Sequence, residues 1–258
     1  MRKATSVAGG THGWSAIAAT SGAAPSRAGP DLGGGRSGSP RVVAPATIER
    51  FRGEIWGIGT TSGHRMVVGR WIESPFGSFA DVMHEAPDGT RTLLAPTDDV
   101  AAYVEATYRF DRVVVVEVAV ERSAGRLQLD AGPLSMTVAT GPRTALGRLL
   151  RLVPAPLARA RWWCAAVDPV ARLLLHGVRT RGTAGNGRRE WYGASDQHRL
   201  VQVRATWDGT DLGDLAPVEP PVRFGFSSTP RTPGVVEVTT SVQREAEPTG
   251  PGGRPRPG

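Results

Sequence analysis

The stretch RTRGTAGNGRREWYG, residues 179–193, combines the glycines and arginines that can cradle a phosphate group. A dinucleotide-binding loop needs the spacing GxGxxG between a buried strand and a helix. This stretch instead has GxxGxG, and the residues after it show no helical period. A Walker-type loop needs a lysine after its last glycine, where this sequence has an arginine. The spacing therefore favours a β-hairpin or a helix-to-strand connection that turns at Asn186-Gly187.

Strand alternation divides the residues around this turn into two sets. Arg188, Glu190 and Tyr192 point to one face, and Arg189 and Trp191 point to the other. We expect Trp191 and Arg189 to face the interior of the fold. They would then form part of the wall of a ligand cavity.

Acid–base chemistry could use the carboxylates Glu54, Glu73 and Glu190 together with His64 or Tyr192. The histidines, at positions 12, 64, 84, 176 and 198, lack the paired spacing that metal ligands usually show. We therefore predict no metal site and no cofactor. The single cysteine follows two tryptophans in a predicted helix, and we expect it to be a buried apolar residue.

The chain contains one lysine, Lys3, and all its other lysine or arginine positions are arginines. The predicted core therefore has no primary amine that could form a Schiff base. The formal net charge of +7 is also unevenly distributed, since residues 1–46 carry +4 and residues 47–243 carry +2. A nearly neutral core without a basic, aromatic-rich stripe argues against a nucleic-acid-binding domain.

Residues 142–189 contain ten arginines and one acid, Asp168, and are the most basic part of the predicted core. One interpretation is a helix that lies on an anionic membrane, with Trp162 and Trp163 beside the leucines and arginines on the wet side. Those arginines are Arg148, Arg151, Arg159, Arg161 and Arg172. The simpler interpretation, which the sequence alone favours, is a solvated face of a helical cap. In a third interpretation, the arginines surround the opening of a cavity and attract an acidic small molecule.

The two ends of the chain differ from its middle in composition. Residues 1–46 are rich in Ala, Gly, Ser, Thr and Pro, and residues 244–258 have the same character. Such segments cannot bury enough apolar surface to offset the entropy lost on ordering. We therefore predict two disordered tails around a single β-rich domain, residues 47–243. The sequence has no apolar run of about 18 residues, and its single cysteine suits a reducing compartment. These features predict a cytoplasmic protein without a transmembrane segment.

Alternating apolar residues and turn signals organise the predicted core. Four strands joined by short turns, which predict an antiparallel meander, are expected at residues 52–59, 64–73, 77–85 and 90–95. A helix is predicted over residues 98–109, and strands follow at residues 113–120, 126–130 and 134–140. Leucines at helical spacing, interrupted by prolines, predict a helical insertion over about residues 142–176. Further strands are predicted at residues 178–180, 188–192, 198–207, 222–228 and 235–242.

Strands dominate this pattern, and most of them are joined by short turns. The predicted fold class is α+β and mainly antiparallel β. We expect a closed or nearly closed β-barrel or cone, with the helical insertion covering one end, because closure removes exposed sheet edges.

The strand order, the helix at residues 98–109 and the phrase EATYRFDRVVVVEV resemble the acetoacetate decarboxylase family. In that family a lysine forms the Schiff base, and Tyr108, Phe110 and Arg112 fall near the two aromatics and that lysine. Arginine is a very poor imine-former, so the resemblance implies a ligand cavity without decarboxylase chemistry. The segments WGIGTTSG, ESPFGSFADVM and VRFGFSSTP also resemble an uncharacterised bacterial protein family, which implies no function.

The leading interpretation is a β-barrel module that binds a small molecule, with an anion or carboxylate as one option. Its ligand would pair with Arg109 or Arg112 through bidentate hydrogen bonds. The predicted ligand-binding residues are Arg109, Arg112, Arg189, Trp191, Tyr192, Trp56 and His64. One alternative is an enzyme acting on a small carboxylate in the same cavity. The other is a peripheral membrane protein that binds through Arg148, Arg151, Arg159, Arg161, Trp162 and Trp163.

Overall fold

Residues 47–174, 181–183, 189–225 and 229–243 are described by a computed structural model of the protein. The predicted tails at residues 1–46 and 244–258 lie outside these residues, as does the predicted strand at residues 178–180. In the described part of the chain, thirteen strands belong to one sheet, and four helices accompany it.

The strands follow the chain in this order: β1 Ile48–Thr60, β2 Arg65–Glu73, β3 Phe79–Glu85, β4 Arg91–Ala95, β5 Arg112–Val115, β6 Ala119–Ser123, β7 Arg126–Ala131, β8 Leu134–Arg143, β9 Arg181–Thr183, β10 Arg189–Trp207, β11 Thr210–Asp211, β12 Leu215–Ala216 and β13 Gly234–Gln243. The helices are α1 Asp98–Glu105, α2 Ala145–Leu150, α3 Ala155–Ala158 and α4 Arg161–Leu174. No helix within these described residues is long and apolar enough to cross a membrane.

The strand order in the sheet is β5-β4-β3-β2-β1-β13-β10-β8-β7-β6, and the short strands β9, β11 and β12 pair at its side. The predicted meander of four strands is confirmed as β1 to β4. Among the described residues, every strand pair is antiparallel except β4 with β5, which is parallel. Helix α1 supplies the crossover that a parallel pair requires. The fold is therefore mixed but mainly antiparallel.

The sheet is a curled half-barrel and is open, so the prediction of a closed or nearly closed barrel is wrong. Strands β5 and β6 form the two ends of the order and do not pair with each other in the described part of the chain. A second difference lies at residues 113–120, where one predicted strand is divided between β5 and β6. These two strands belong to opposite edges, so the break between them is what leaves the sheet open.

Three predicted strands and one predicted helix also differ from the structure. The strands expected at residues 188–192 and 198–207 are one 19-residue strand, β10, which has register shifts near Asp196 and Leu200. Bulges of this kind bend a strand without ending it. Helix α1 ends at Glu105 rather than at residue 109, and Thr97 caps its start by accepting a hydrogen bond from the amide of Val100. Of the strand predicted at residues 222–228, residues 222–225 form no strand, and residues 226–228 lie outside the described residues.

The inner face of the sheet is the face around which it curls. Its core joins side chains of β1 to β4 with side chains of β7, β8 and β10, which are distant in the strand order. The fully buried members include Trp56, Ile58, Met66, Val82 and Leu129. The inside of the curl is therefore filled with side chains.

The outer face is the opposite side of the same strands. Helix α1 packs there against β4, in a cluster that contains Leu93, Val100 and Val104. The segment 218–224 covers a neighbouring part of the outer face, where Val222 and Phe224 pack on Val67. Helices α2, α3 and α4 occupy the predicted helical insertion.

Candidate functional site

A cavity of about 720 Å³ lies between the outer face of the sheet and the helices. Strands β1, β2, β3, β10 and β13 form its floor, and all four helices contribute to its walls. Its apolar lining includes Phe51, Ile55, Val67, Phe79 and Met83 from the sheet and Leu146, Leu149, Leu150 and Trp163 from the helices. Most of the lining is thus apolar, and the few polar side chains stand out.

Helix α2 is held directly on β10, and this contact closes one side of the cavity. The Thr144 hydroxyl caps the helix by accepting from the Gly147 amide at 2.9 Å, and it donates to Gln197 Oε1 at 2.9 Å. A β-carbon at Gly147 would lie 2.3 Å from the Gln197 carbonyl oxygen. The close approach of helix and strand therefore requires glycine at position 147.

Tyr108, Tyr192 and Glu190 form a hydrogen-bonded cluster in the cavity wall. The Tyr192 hydroxyl donates to Glu190 Oε2 at 2.9 Å, and the two tyrosine hydroxyls are 2.8 Å apart. Tyr108 follows α1, whereas Glu190 and Tyr192 are alternate residues of β10 and so share one face. The cluster joins the segment after α1 to the sheet across the cavity.

Both phenols of this cluster remain protonated at ordinary pH. Burial, and then the neighbouring Glu190, raises the pKa of Tyr108 well above its usual value. The same two causes raise the pKa of Tyr192. The cluster therefore offers hydroxyl groups as hydrogen-bond partners rather than phenolates.

Asp81 is the second carboxyl group in the cavity lining. Its Oδ1 accepts a hydrogen bond from Trp71 Nε1 at 3.0 Å. Burial raises the pKa of the Asp81 carboxyl to about 7, although the hydrogen bond from Trp71 lowers it. A β-carbon at Gly69 would lie 2.5 Å from Asp81 Oδ1 and 2.7 Å from Trp71 Nε1, so glycine is needed beneath this hydrogen bond. Near neutral pH Asp81 can accept or donate a hydrogen bond.

Cys164 connects α4 to the cavity wall. Its Sγ lies 3.5 Å from the carbonyl oxygens of Ala158 and Tyr192. Burial raises the pKa of the Cys164 thiol to about 11. Because the thiolate is the reactive form, this side chain acts as a buried packing residue and not as a nucleophile.

Only one of the ligand-binding residues predicted from the sequence lines the cavity. That residue is Tyr192, while Arg109, Arg112 and Arg189 are exposed and absent from the lining. Trp56 is fully buried in the inner core. His64 lies beside the β1–β2 turn, where its Nδ1 is 2.8 Å from His84 Nε2.

On β10, the residues that border the cavity belong to the face opposite the one that was predicted. Glu190 and Tyr192 line the cavity, whereas Trp191 and Arg189 do not. Trp191 is buried on the opposite side, where its Nε1 donates to the Arg159 carbonyl oxygen at 3.3 Å. Alternation separates the two sets correctly, but it does not say which face borders the cavity, because both are covered here.

A smaller polar pocket of about 310 Å³ lies elsewhere on the sheet. Its lining includes Glu54, Arg122, Asp196, His198 and Glu237. These carboxylates are largely matched by arginines: Arg143 Nε lies 2.8 Å from Asp196 Oδ1, and Arg122 Nε lies 3.5 Å from Glu54 Oε1. The pocket is thus an ion-pair network, and the large cavity is the stronger candidate site.

The acid–base partners predicted from the sequence are mostly separated. Glu190 and Tyr192 are hydrogen-bonded, but Glu73 forms an exposed ion pair with Arg52, which lowers the pKa of Glu73. Glu54 lies in the smaller pocket. Among the described residues, no group of three His, Cys, Asp or Glu side chains could hold a metal ion.

Sequence reasoning missed Asp81 as a candidate. The signal was an acid between apolar residues in the middle of the strand FADVMHE, opposite a glycine of the neighbouring strand. A buried carboxyl in such a strand needs a partner, and the partner of Asp81 is Trp71.

Comparisons with known proteins return low similarity. The sequence matches no protein-family model. No curated protein matches it either. Among solved structures, an acetoacetate decarboxylase from Legionella pneumophila is similar with a TM-score of 0.37 and 10% identity, over 83% of this chain and 92% of that one. A candidate AttH protein from Nitrosomonas europaea is similar with a TM-score of 0.26 and 12% identity, over 85% of this chain and 60% of that one. Similarity at this level assigns no activity to the chain.

Proposed function

We propose that the protein binds a small, mostly apolar molecule in the cavity between the outer face of the sheet and the helices. The volume of about 720 Å³ carries this proposal. It falls within the range of roughly 300–1,000 Å³ that ligand pockets occupy, and such pockets are apolar with a few placed polar groups. The cluster of Tyr108, Tyr192 and Glu190 and the Asp81 carboxyl are among those groups here.

The polar lining favours a neutral ligand with a hydrogen-bonding group, such as a hydroxyl or an amide. The cavity lining contains two acids, Asp81 and Glu190, and no arginine among the described residues. A carboxylate placed beside them would be repelled and would gain no bidentate partner. The anionic ligand expected from Arg109 and Arg112 stays a prediction, and the lining argues for the neutral class.

An enzyme is the second candidate, and the hydrogen bond between Tyr192 and Glu190 is the observation in its favour. General acid catalysis works best when the pKa of the acid is near the working pH. The raised pKa of both phenols moves them away from that condition. The enzyme candidate does not include Schiff-base chemistry, because the only lysine of the chain is Lys3. Binding is therefore the function that we infer.

Native mass spectrometry of the purified full chain tests the proposal, together with titration of the neutral apolar dye N-phenylnaphthylamine. We expect a co-purifying ligand or saturable dye binding. Ala194 lines the cavity, so Ala194→Phe should fill part of it and reduce dye affinity by about tenfold or more.

Val201→Phe is the matched control, because Val201 lies on the same strand and is 57% exposed. It adds comparable bulk away from the cavity and should bind the dye like the wild type. Absence of both ligand and saturable binding in the wild type would overturn the proposal. Equal loss of binding in the two variants would show that the dye does not report on the cavity wall.

A further inference from the structure

The three most exposed large apolar side chains of the described residues all belong to the helical segment 144–169. Leu152 is 78% exposed, Trp162 64% and Leu149 60%, whereas the next value, for Val201 on β10, is 57%. Isolated exposed apolar residues are common, but a group on one short segment points to an interaction surface. The segment therefore presents apolar side chains to a partner.

These side chains are connected through the opening of the cavity. Leu149 is largely exposed and also lines the cavity, so it lies at the opening. The Leu152 amide donates to the Leu149 carbonyl oxygen at 3.1 Å, which places the two residues one turn apart. On α4, Trp163 lines the cavity and Trp162 packs edge-on against it, with ring centres 6.0 Å apart. The exposed apolar groups thus continue from the mouth of the cavity.

The charge of the same segment is uniformly positive at its surface. Arg148, Arg159 and Arg161 are exposed, whereas Asp168, the only acid between residues 142 and 189, is 2% exposed. Arg159 donates to the Ala155 carbonyl oxygen and Arg161 to Gln243 Oε1, and neither acceptor neutralises a charge. Arg151 lies 3.6 Å from Asp196 and is 60% exposed. The complementary partner is an anionic surface that also accepts apolar side chains.

We propose that this segment docks on an anionic lipid bilayer with the cavity opening toward the lipid. The docking surface consists of Arg148, Leu149, Leu152, Arg159, Arg161 and Trp162. Amphipathic segments of this composition bind at the boundary between headgroups and acyl chains, where tryptophan and leucine insert and arginine pairs with acidic lipid. Docking itself is independent of the proposed function. The exchange of an apolar ligand between bilayer and cavity rests on that function.

Co-sedimentation of the full chain with vesicles tests the docking step. Vesicles of phosphatidylcholine with phosphatidylglycerol should bind the protein, vesicles of phosphatidylcholine alone should bind it much less, and salt should weaken the binding. Each arginine near an anionic surface contributes a factor of about five in affinity, so Arg148→Ala with Arg159→Ala should weaken binding by about 25-fold. Leu152→Ala with Trp162→Ala should weaken it by about tenfold or more.

The matched controls remove the same kinds of exposed side chain from β10. Arg204→Ala and Val201→Ala should leave vesicle binding unchanged. Residues 1–46 carry a net charge of +4, and they are present in every variant. Vesicle binding that is equal in the wild type and both docking variants would therefore place the contact outside the helical segment and overturn the proposal. Absence of wild-type binding to anionic vesicles at low salt would overturn it as well.

Dye experiments separate this proposal from the proposed function. The docking variants should bind N-phenylnaphthylamine in solution like the wild type, because Leu152 and Trp162 do not line the cavity. They should nevertheless transfer the dye to anionic vesicles more slowly, each by about the factor by which its vesicle binding is weakened. Wild-type docking without dye binding would refute the cavity function alone. Equal transfer rates in wild type and variants would refute exchange through the docked state.

Discussion

On the inner face of the sheet, Trp56, Met66 and Val68 are fully buried against one another. On the outer face, their sequence neighbours Val67 and Gly69 border a cavity of about 720 Å³. The same strands supply both sets, because successive side chains of a strand point to opposite faces. One face of the sheet therefore serves packing, while the other leaves room for a ligand.

The difference between the faces follows from side-chain size and from what covers each face. The inner face closes on itself when the sheet curls, so large side chains from distant strands meet. The outer face is covered by helices and includes glycines, among them Gly69, where a side chain would collide with Asp81 and Trp71. An unfilled cavity with a buried carboxyl lowers stability. The presence of a large, mostly apolar cavity of this kind on the outer face supports a binding role for that face.

The largest expected effect concerns the carboxyl on the outer face. Burial raises the pKa of Asp81 from 3.8 to about 7, so the folded state holds this proton more tightly than the unfolded state. The stabilisation from Asp81 is complete below about pH 4 and is lost as the pH rises through 7. The loss amounts to about 4 kcal/mol, at 1.36 kcal/mol per pKa unit.

Asp81→Asn should remove this dependence, because its side chain does not titrate. Urea unfolding of both proteins between pH 4 and pH 8 gives the difference in their free energies of unfolding. We expect that difference to shift by about 4 kcal/mol in favour of the variant at the higher pH. Other titrating groups cancel in the difference. A constant difference across this range would show that Asp81 is not buried as the cavity lining implies.

A matched pair of valines on β2 tests the comparison directly. Val68 belongs to the inner core and is fully buried, whereas Val67 packs on Val222 and Phe224 and also borders the cavity. Val68→Ala should lower the free energy of unfolding by about 2.5 kcal/mol, since it creates a new void in a filled core. Val67→Ala should lower it by about 1 kcal/mol, because fewer contacts are lost beside an existing cavity.

Urea unfolding at one pH measures both valine variants, and dye titration distinguishes them again. Val67→Ala enlarges the cavity and should alter dye affinity, while Val68→Ala should leave it unchanged. Equal destabilisation by the two substitutions would contradict the difference between a filled and an unfilled face.

Much of the fold follows from local sequence signals. The turns around Gly63 and Gly89, which have positive φ, mark the first hairpins, and the four-strand meander is where alternation predicts it. The helices α2, α3 and α4 are found where leucine spacing and prolines predict them. The closure of the barrel was not predictable in the same way. It depends on whether β5 and β6, which follow each other in the chain but lie at opposite ends of the strand order, pair with each other, and local alternation does not determine that pairing.

The site was less predictable than the fold for a related reason. Alternation correctly joins Glu190 with Tyr192 and separates them from Trp191, but the covering of each face is set by helices far away in sequence. Arg112, which was predicted as a ligand partner from a motif position, and Arg109 beside that motif are both exposed. Which side chains border the cavity depends on which helices and segments cover each face of the sheet, and not on the type of residue.

The smallest expected effect is at the hydroxyl groups of the cavity wall. Tyr192→Phe removes the donor to Glu190 and the contact with Tyr108, while the ring that lines the cavity stays. We expect affinity for the co-purifying ligand, or for a dye analogue that carries a hydroxyl, to fall by about tenfold, as loss of one hydrogen bond predicts. Tyr103→Phe is the matched control, because Tyr103 also lines the cavity but donates to Glu49 at 2.7 Å. Competition titration against the apolar dye measures both variants. Equal affinities in the two would mean that the ligand is held by apolar contact alone and that the Tyr–Tyr–Glu cluster only joins α1 to the sheet.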